Sequence, residues 1–239
     1  MESEQPVLPH GRPRGPVRRR LAYGVIAAAL AIAFVGLLLP VWGITASQVA
    51  SNGSTQTATL DTYLFGRYTT TATGSNSTTC PLSGGNASQC VSLPTTARFY
   101  EVLEVLSVSA LMVGVISIGL ALGDRLPARR RARVARLGWV FALMMAIILL
   151  SVVFGVAFLQ PEAFAADAPP GPNMTAFGPA SDFCGNGHTP DDSFWAGCIS
   201  ATNSGSSIKW GPGVGWFLSL LAGVVGATGT VLYPRGSRV

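Results

Sequence analysis

LAYGVIAAALAIAFVGLLLPVW, residues 21–42, holds no charged side chain over a length that meets the roughly 20 apolar residues an α-helix needs to cross a bilayer. A secretory leader has an apolar stretch of only about 7–15 residues, so the run reads as a retained helix. Pro40 is expected to end or kink it, with Trp42 at the far interface. Three further runs have the same character, at residues 99–122, 137–159 and 213–233.

The composition agrees. Of 239 residues, 49% are hydrophobic and only 11% charged, against about 25% charged in ordinary soluble domains. Mean hydropathy is +0.42. The 28 glycines suit helices that approach one another closely in lipid.

The net charge of +5 is not spread over one face. Arg12, Arg14, Arg18, Arg19 and Arg20 precede the first run, Arg125 to Arg136 separate the second from the third, and Arg235 and Arg238 follow the fourth. By the positive-inside rule, both termini and the basic hinge 123–136 face the cytoplasm. The polar arm 1–20 is expected to be disordered, and 234–239 is a short cytoplasmic tail. Segments 43–98 and 160–212 then become outer loops. The basic residues lack the aromatic interleaving of a nucleic-acid surface, so the partners expected are the lipid bilayer and other membrane proteins, in a larger complex or a homo-oligomer.

The loops carry the chemistry of an outer compartment. All four cysteines lie in them, Cys80 and Cys90 in the first, Cys184 and Cys198 in the second. Short closures cost least chain entropy, which favours Cys80–Cys90 and Cys184–Cys198, each adding about 3 kcal/mol. Four N-x-S/T sequons, at Asn52, Asn76, Asn86 and Asn173, are candidate glycosylation sites. Residues 57–73, TATLDTYLFGRYTTTAT, have strand or hairpin composition and predict a small antiparallel sheet stapled by Cys80–Cys90. The Pro/Gly-rich second loop predicts irregular structure. The fold class is therefore a membrane all-α protein: a four-transmembrane-helix bundle with a small disulfide-stapled extracellular sheet in the first outer loop.

Few residues suggest catalysis. No C-x-x-C pair exists, and the spacings C-x9-C and C-x13-C suit structural bridges better than a thiol relay. His188 with Asp191 and Asp192 is thin for zinc, which wants three or four converging ligands, and His10 lies in the arm. No cofactor is implied. Glu101 and Glu104, with Arg98, read as a helix-end cap and ion pair at the outer start of the second helix. Their alternative role is cation binding, if they lie below the headgroups. Ala222/Gly226 and Gly223/Ala227 in the fourth helix, and Ala110/Gly114 and Gly119/Gly123 in the second, are small-xxx-small pairs for helix packing.

In order along the chain, Trp42 after the first helix, the C-x9-C pair Cys80 and Cys90, Arg98, and the approach SLPTTARFYEVLEVLSVSALMV (residues 92–113) resemble the claudin and peripheral myelin protein group. That resemblance implies a four-helix membrane protein whose first outer loop forms a disulfide-bonded sheet, and a role in contacts between proteins. The second loop, with a cysteine pair of its own, has no counterpart in it. The resulting expectation is a non-catalytic tetraspan glycoprotein of the cell surface acting in adhesion, as a scaffold or as an accessory subunit. A channel or transporter subunit and a membrane thiol–disulfide oxidoreductase are the alternatives.

Overall fold

A computed structural model describes residues 15–49, 53–83, 90, 92–121, 128–167, 185–186 and 206–232. The elements run α1 (Gly15–Leu38), β1 (Trp42–Val49), β2 (Thr55–Tyr63), β3 (Arg67–Ala72), β4 (Thr78–Pro81), α2 (Pro94–Ala121), α3 (Ala128–Asp167), β5 (Gly185–Asn186), β6 (Ser206–Pro212) and α4 (Val214–Leu232). Each helix contains a segment long and apolar enough to span a membrane: Arg20–Leu38, Pro94–Leu120, Arg133–Gln160 and Val214–Leu232. The chain is thus an integral membrane protein.

The helix limits differ from the hydropathy runs, for local reasons. α1 begins at Gly15, so the last residues of the basic arm are helical rather than disordered, and it stops at Leu38, before Pro40. Trp42 is therefore the first residue of a strand and not the last of a helix. α2 starts at Pro94, the first-turn position where proline's missing N–H costs nothing. α3 is 40 residues long. It takes in part of the basic hinge and continues through Pro161 into what hydropathy assigned to the second loop.

α1 packs on α4, α2 on α3 and α3 on α4, with a lighter α1–α2 contact. Small residues bring the backbones together. A Cβ on Gly215 would stand 2.6 Å from the carbonyl oxygens of Gly36 and Leu39, so α4 meets the end of α1 backbone to backbone. Farther along, Ala22, Ile26, Ala29, Ala33, Ala110, Ala142, Met145, Leu149 and Ala222 form one buried cluster. Polar groups add directional ties. Ser117 Oγ donates to the Gly138 carbonyl at 2.8 Å, Trp139 Nε1 to Thr230 O at 3.0 Å, and Trp216 Nε1 to Val153 O at 2.9 Å.

The strands form one antiparallel six-stranded sheet, order β4-β3-β2-β1-β6-β5. Residues 57–73 supply most of β2 and all of β3, as their composition predicts. The loop between them spans Leu64 to Gly66, closing Tyr63 against Arg67, and Gly66 takes φ 60, which a side chain would resist. The expectation of irregular structure throughout the second loop is overturned. β6 pairs with β1 along seven residues, and β5 adds to its outer side, so the sheet belongs to both loops. Residues 206–212, SSIKWGP, contain Pro and Gly and have little strand character by themselves. The open edge of β1 supplies the partner that makes them a strand.

Candidate functional site

A buried row roots the sheet in the helices. Pairing places Trp42, Thr62, Tyr68 and Cys80 side by side across β1, β2, β3 and β4. All four are essentially buried, and Trp42, Tyr68 and Cys80 join Leu37, Val41, Leu64, Leu82, Tyr100, Val153, Phe164 and Trp216 in one cluster. Alternate residues of a strand face opposite sides, so the same register that buries this row sends its neighbours outward.

The threonine hydroxyl in the row is satisfied. Thr62 Oγ1 donates to Trp42 O at 2.9 Å and lies 2.8 Å from Tyr100 Oη. Because its single proton is used on Trp42, Tyr100 is the donor in the second bond. A helix residue is thereby tied to the middle of the sheet. Trp42 also packs on Phe164 of α3, ring centroids 5.4 Å apart. Cys80 and Cys90 form the expected disulfide, Cα–Cα 5.7 Å, which fixes β4 to the segment leading into α2.

Asp167, at the end of α3, is the feature that hydropathy could not locate. Its Oδ1 accepts from the Thr95 amide at 2.8 Å and its Oδ2 from the Thr96 amide at 2.6 Å. It caps α2, which has no acidic residue in its own first turn. Partial burial works to raise its pKa, but the Thr96 and Thr95 amides prevail and hold the carboxyl below its ordinary range. The expectation that Glu101 and Glu104 complement the start of this helix is corrected accordingly. α2 begins seven residues before Glu101, counting from Pro94, so both lie beyond the first turn where the helix dipole acts. Arg98 and Glu101 are exposed and Glu104 is half-buried.

Among the described residues, three polar side chains have buried atoms without a hydrogen-bond partner: Thr96, Gln160 and Ser219. Gln160 is fully buried with neither amide atom hydrogen-bonded, and Thr96 Oγ1 is likewise unpartnered. Gln160 lies on the face of α3 that also carries Val153, Val156, Ala157 and Phe164, turned toward the root of the sheet.

The outer face of the sheet is hydroxyl-rich. Thr45, Thr59 and Thr71 form one row, and Gly43, Asp61, Thr69 and Thr79 form the next. Asp61 lies across Gly43, where a Cβ would come within 2.5 Å of its Oδ1. Burial pushes this carboxyl above the ordinary aspartate range. Toward the β2–β3 turn, the Arg67 guanidinium sits 4.9 Å from the centroid of the Tyr63 ring.

Of the sequons, Asn76 is exposed in the turn before β4. Asn52, Asn86 and Asn173 lie outside the described residues, as do Cys184, Cys198, His10, His188, Asp191, Asp192 and Gly123. The small residues of α4 face other helices of the same chain. Gly223 meets Leu150, Gly226 meets Met145 and Ala146, Ala222 is fully buried, and Ala227 is half-buried. In α2, Ala110 is fully buried and Gly114 abuts Leu30 and Met145. Among the described residues no cluster of His, Cys, Asp and Glu has the makings of a metal centre. The chain matches no protein-family model and no curated protein.

Proposed function

We propose that this chain is a non-catalytic tetraspan glycoprotein of the cell surface. In this reading it is a four-helix bundle of claudin-like plan that presents its outer sheet to other proteins, in adhesion, as a scaffold or as an accessory subunit. Both termini are cytoplasmic, the sequons carry glycans, and Cys184 pairs with Cys198.

One observation supports the reading above others. Two loops separated by two membrane-spanning segments contribute strands to a single sheet, fixed to the helices by the Trp42–Thr62–Tyr68–Cys80 row and the Cys80–Cys90 bridge. That construction holds a broad polar surface rigid, and pre-organised surfaces bind with less ordering cost. The threonine rows on its outer face offer hydrogen-bonding groups without a charged residue at every position.

The test has two arms. For orientation, Ala132→Cys and Ser206→Cys are introduced singly into a cysteine-free chain and labelled on intact cells. Ser206→Cys should react and Ala132→Cys should not; the reverse overturns the topology. For function, photoreactive side chains at Thr59 and Thr71 should trap the same protein in cells, with none trapped from lipid-facing Val105. A purified chain that is monomeric by native mass spectrometry and traps nothing from either sheet position refutes the contact role.

A further inference from the structure

The spans define where the bilayer ends relative to the sheet. A hydrocarbon core of ~30 Å takes roughly 20 helical residues. The spans in α1 and α4 have 19 residues each, and their sheet-side ends are Leu38 and Val214. β1 starts at Trp42 and β6 ends at Pro212, so the near end of the sheet lies at that boundary. α2 gives the same level independently. Its span, Pro94–Leu120, has 27 residues, so about seven stand beyond the hydrocarbon and the boundary falls near Glu101. Tyr100, at that height, hydrogen-bonds Thr62 of β2.

β1 runs away from α1 and β2 returns antiparallel to it, so β2 ends facing the membrane. After Thr62 come only Tyr63 and the turn Leu64–Gly66. This turn is thus among the deepest points of the sheet. Leu64 there is 1% exposed, sealed in the core, whereas Phe65 is 40% exposed and points away from it. Arg67 is exposed, with its guanidinium carbon over the Tyr63 ring, 4.9 Å from the centroid. A guanidinium is a planar fork of N–H donors that matches the oxygens of a phosphate. An exposed aromatic, a tyrosine and an arginine at the height of a bilayer boundary have the chemistry of an interfacial anchor.

We propose that the turn from Tyr63 to Arg67 is a lipid contact site: Phe65 enters the boundary between headgroups and acyl chains, and Arg67, beside the Tyr63 ring, binds a phospholipid phosphate. The proposal rests on the membrane reading of the four helices. It assigns the exposed phenylalanine an apolar surrounding and gives the sheet an attachment to lipid besides its links to the helices. The contact favours anionic headgroups, because Arg67 brings a positive charge to the surface where they lie.

The full chain is reconstituted in nanodiscs of equal parts phosphatidylcholine and phosphatidylglycerol. A benzophenone side chain replaces Phe65, or Val105 as a lipid-facing reference on α2, or Thr71 as a reference farther out on β3. After irradiation, adducts are identified by mass spectrometry. Lipid adducts are expected at 65 and 105 and not at 71. At 65, phosphatidylglycerol should be favoured about fivefold over phosphatidylcholine, and Arg67→Gln should abolish that preference without changing the pattern at 105. Adducts at 105 with none at 65 overturn the proposal while leaving the helices in the membrane. Protein adducts at 65 in cells overturn it in favour of a protein interface. Lipid adducts at 65 without headgroup preference overturn the role of Arg67. Absence of adducts at both 65 and 105 brings down the membrane reading itself, and the proposal with it.

Discussion

Replacing Asp167 by Ala removes both oxygens that receive the Thr95 and Thr96 amides, at 2.8 and 2.6 Å. Those amides are among the first donors of α2 and have no partner within the helix. A lost cap costs about 0.5–2 kcal/mol, and removing a negative charge from a helix N-terminus about 0.3–1 kcal/mol more. Asp167→Ala should therefore destabilise the contact between the ends of α2 and α3 by about 1–2 kcal/mol. Asp167→Asn keeps one acceptor and should lose about half of that. Hydrogen exchange reads the effect where it occurs: a local loss of about 1.4 kcal/mol speeds exchange of the Thr95 and Thr96 amides tenfold, while amides in the middle of α2 stay unchanged. The carboxyl titrates below its ordinary value of 3.8 in the folded protein, so its contribution is complete above that value. It is lost as the pH falls through the lower folded value. The difference between wild type and Asp167→Asn should accordingly shrink toward zero in acid. Equal exchange in wild type and Asp167→Ala, or a difference that stays constant through the acid range, would refute the capping argument.

Three further perturbations test the junction. Thr62→Val and Tyr100→Phe should each cost about 1–3 kcal/mol in an SDS titration followed by circular dichroism, and the double variant should cost clearly less than their sum, because both break the shared Thr62–Tyr100 bond and Thr62→Val alone also loses the bond to Trp42 O. Gly215→Ala should destabilise far more than Gly223→Ala, by about 1–3 kcal/mol in the same titration. The first methyl meets the backbone oxygens of Gly36 and Leu39, which cannot move alone, and the second meets the far end of the Leu150 side chain. Opening the Cys80–Cys90 bridge by the double Cys→Ser change should cost about 3 kcal/mol and raise exchange in β4 before β1, since the bridge closes a loop at β4; equal loosening of both strands would contradict this placement.

Much of the protein was legible in one dimension because its strongest forces act locally. A bilayer imposes an apolar run of fixed length, and an arginine beside such a run marks its end whatever the rest of the chain does. For that reason residues 21–42, 99–122, 137–159 and 213–233 each identify a helix, even though the helices start or stop several residues away. The Thr- and aromatic-rich segment 57–73 likewise declares β structure by itself, and Cys80 and Cys90 are near enough in sequence for the closure argument to pair them. What the tertiary structure decided is where distant segments meet. Residues 206–212 become a strand because β1 leaves an edge beside them, and no local preference encodes that edge. Asp167 becomes the cap of α2 because an antiparallel neighbour brings it there from 71 positions away from Thr96 in sequence, whereas Glu101 and Glu104, which lie nearer to the helix start, fall past its first turn. The buried Thr62–Tyr100 bond depends on strand register and helix rotation together. Local composition sets the elements, since solvation and propensity are sums over neighbouring residues. Pairing, capping and burial of single polar groups depend on contacts between residues far apart, and only the folded chain brings those residues together.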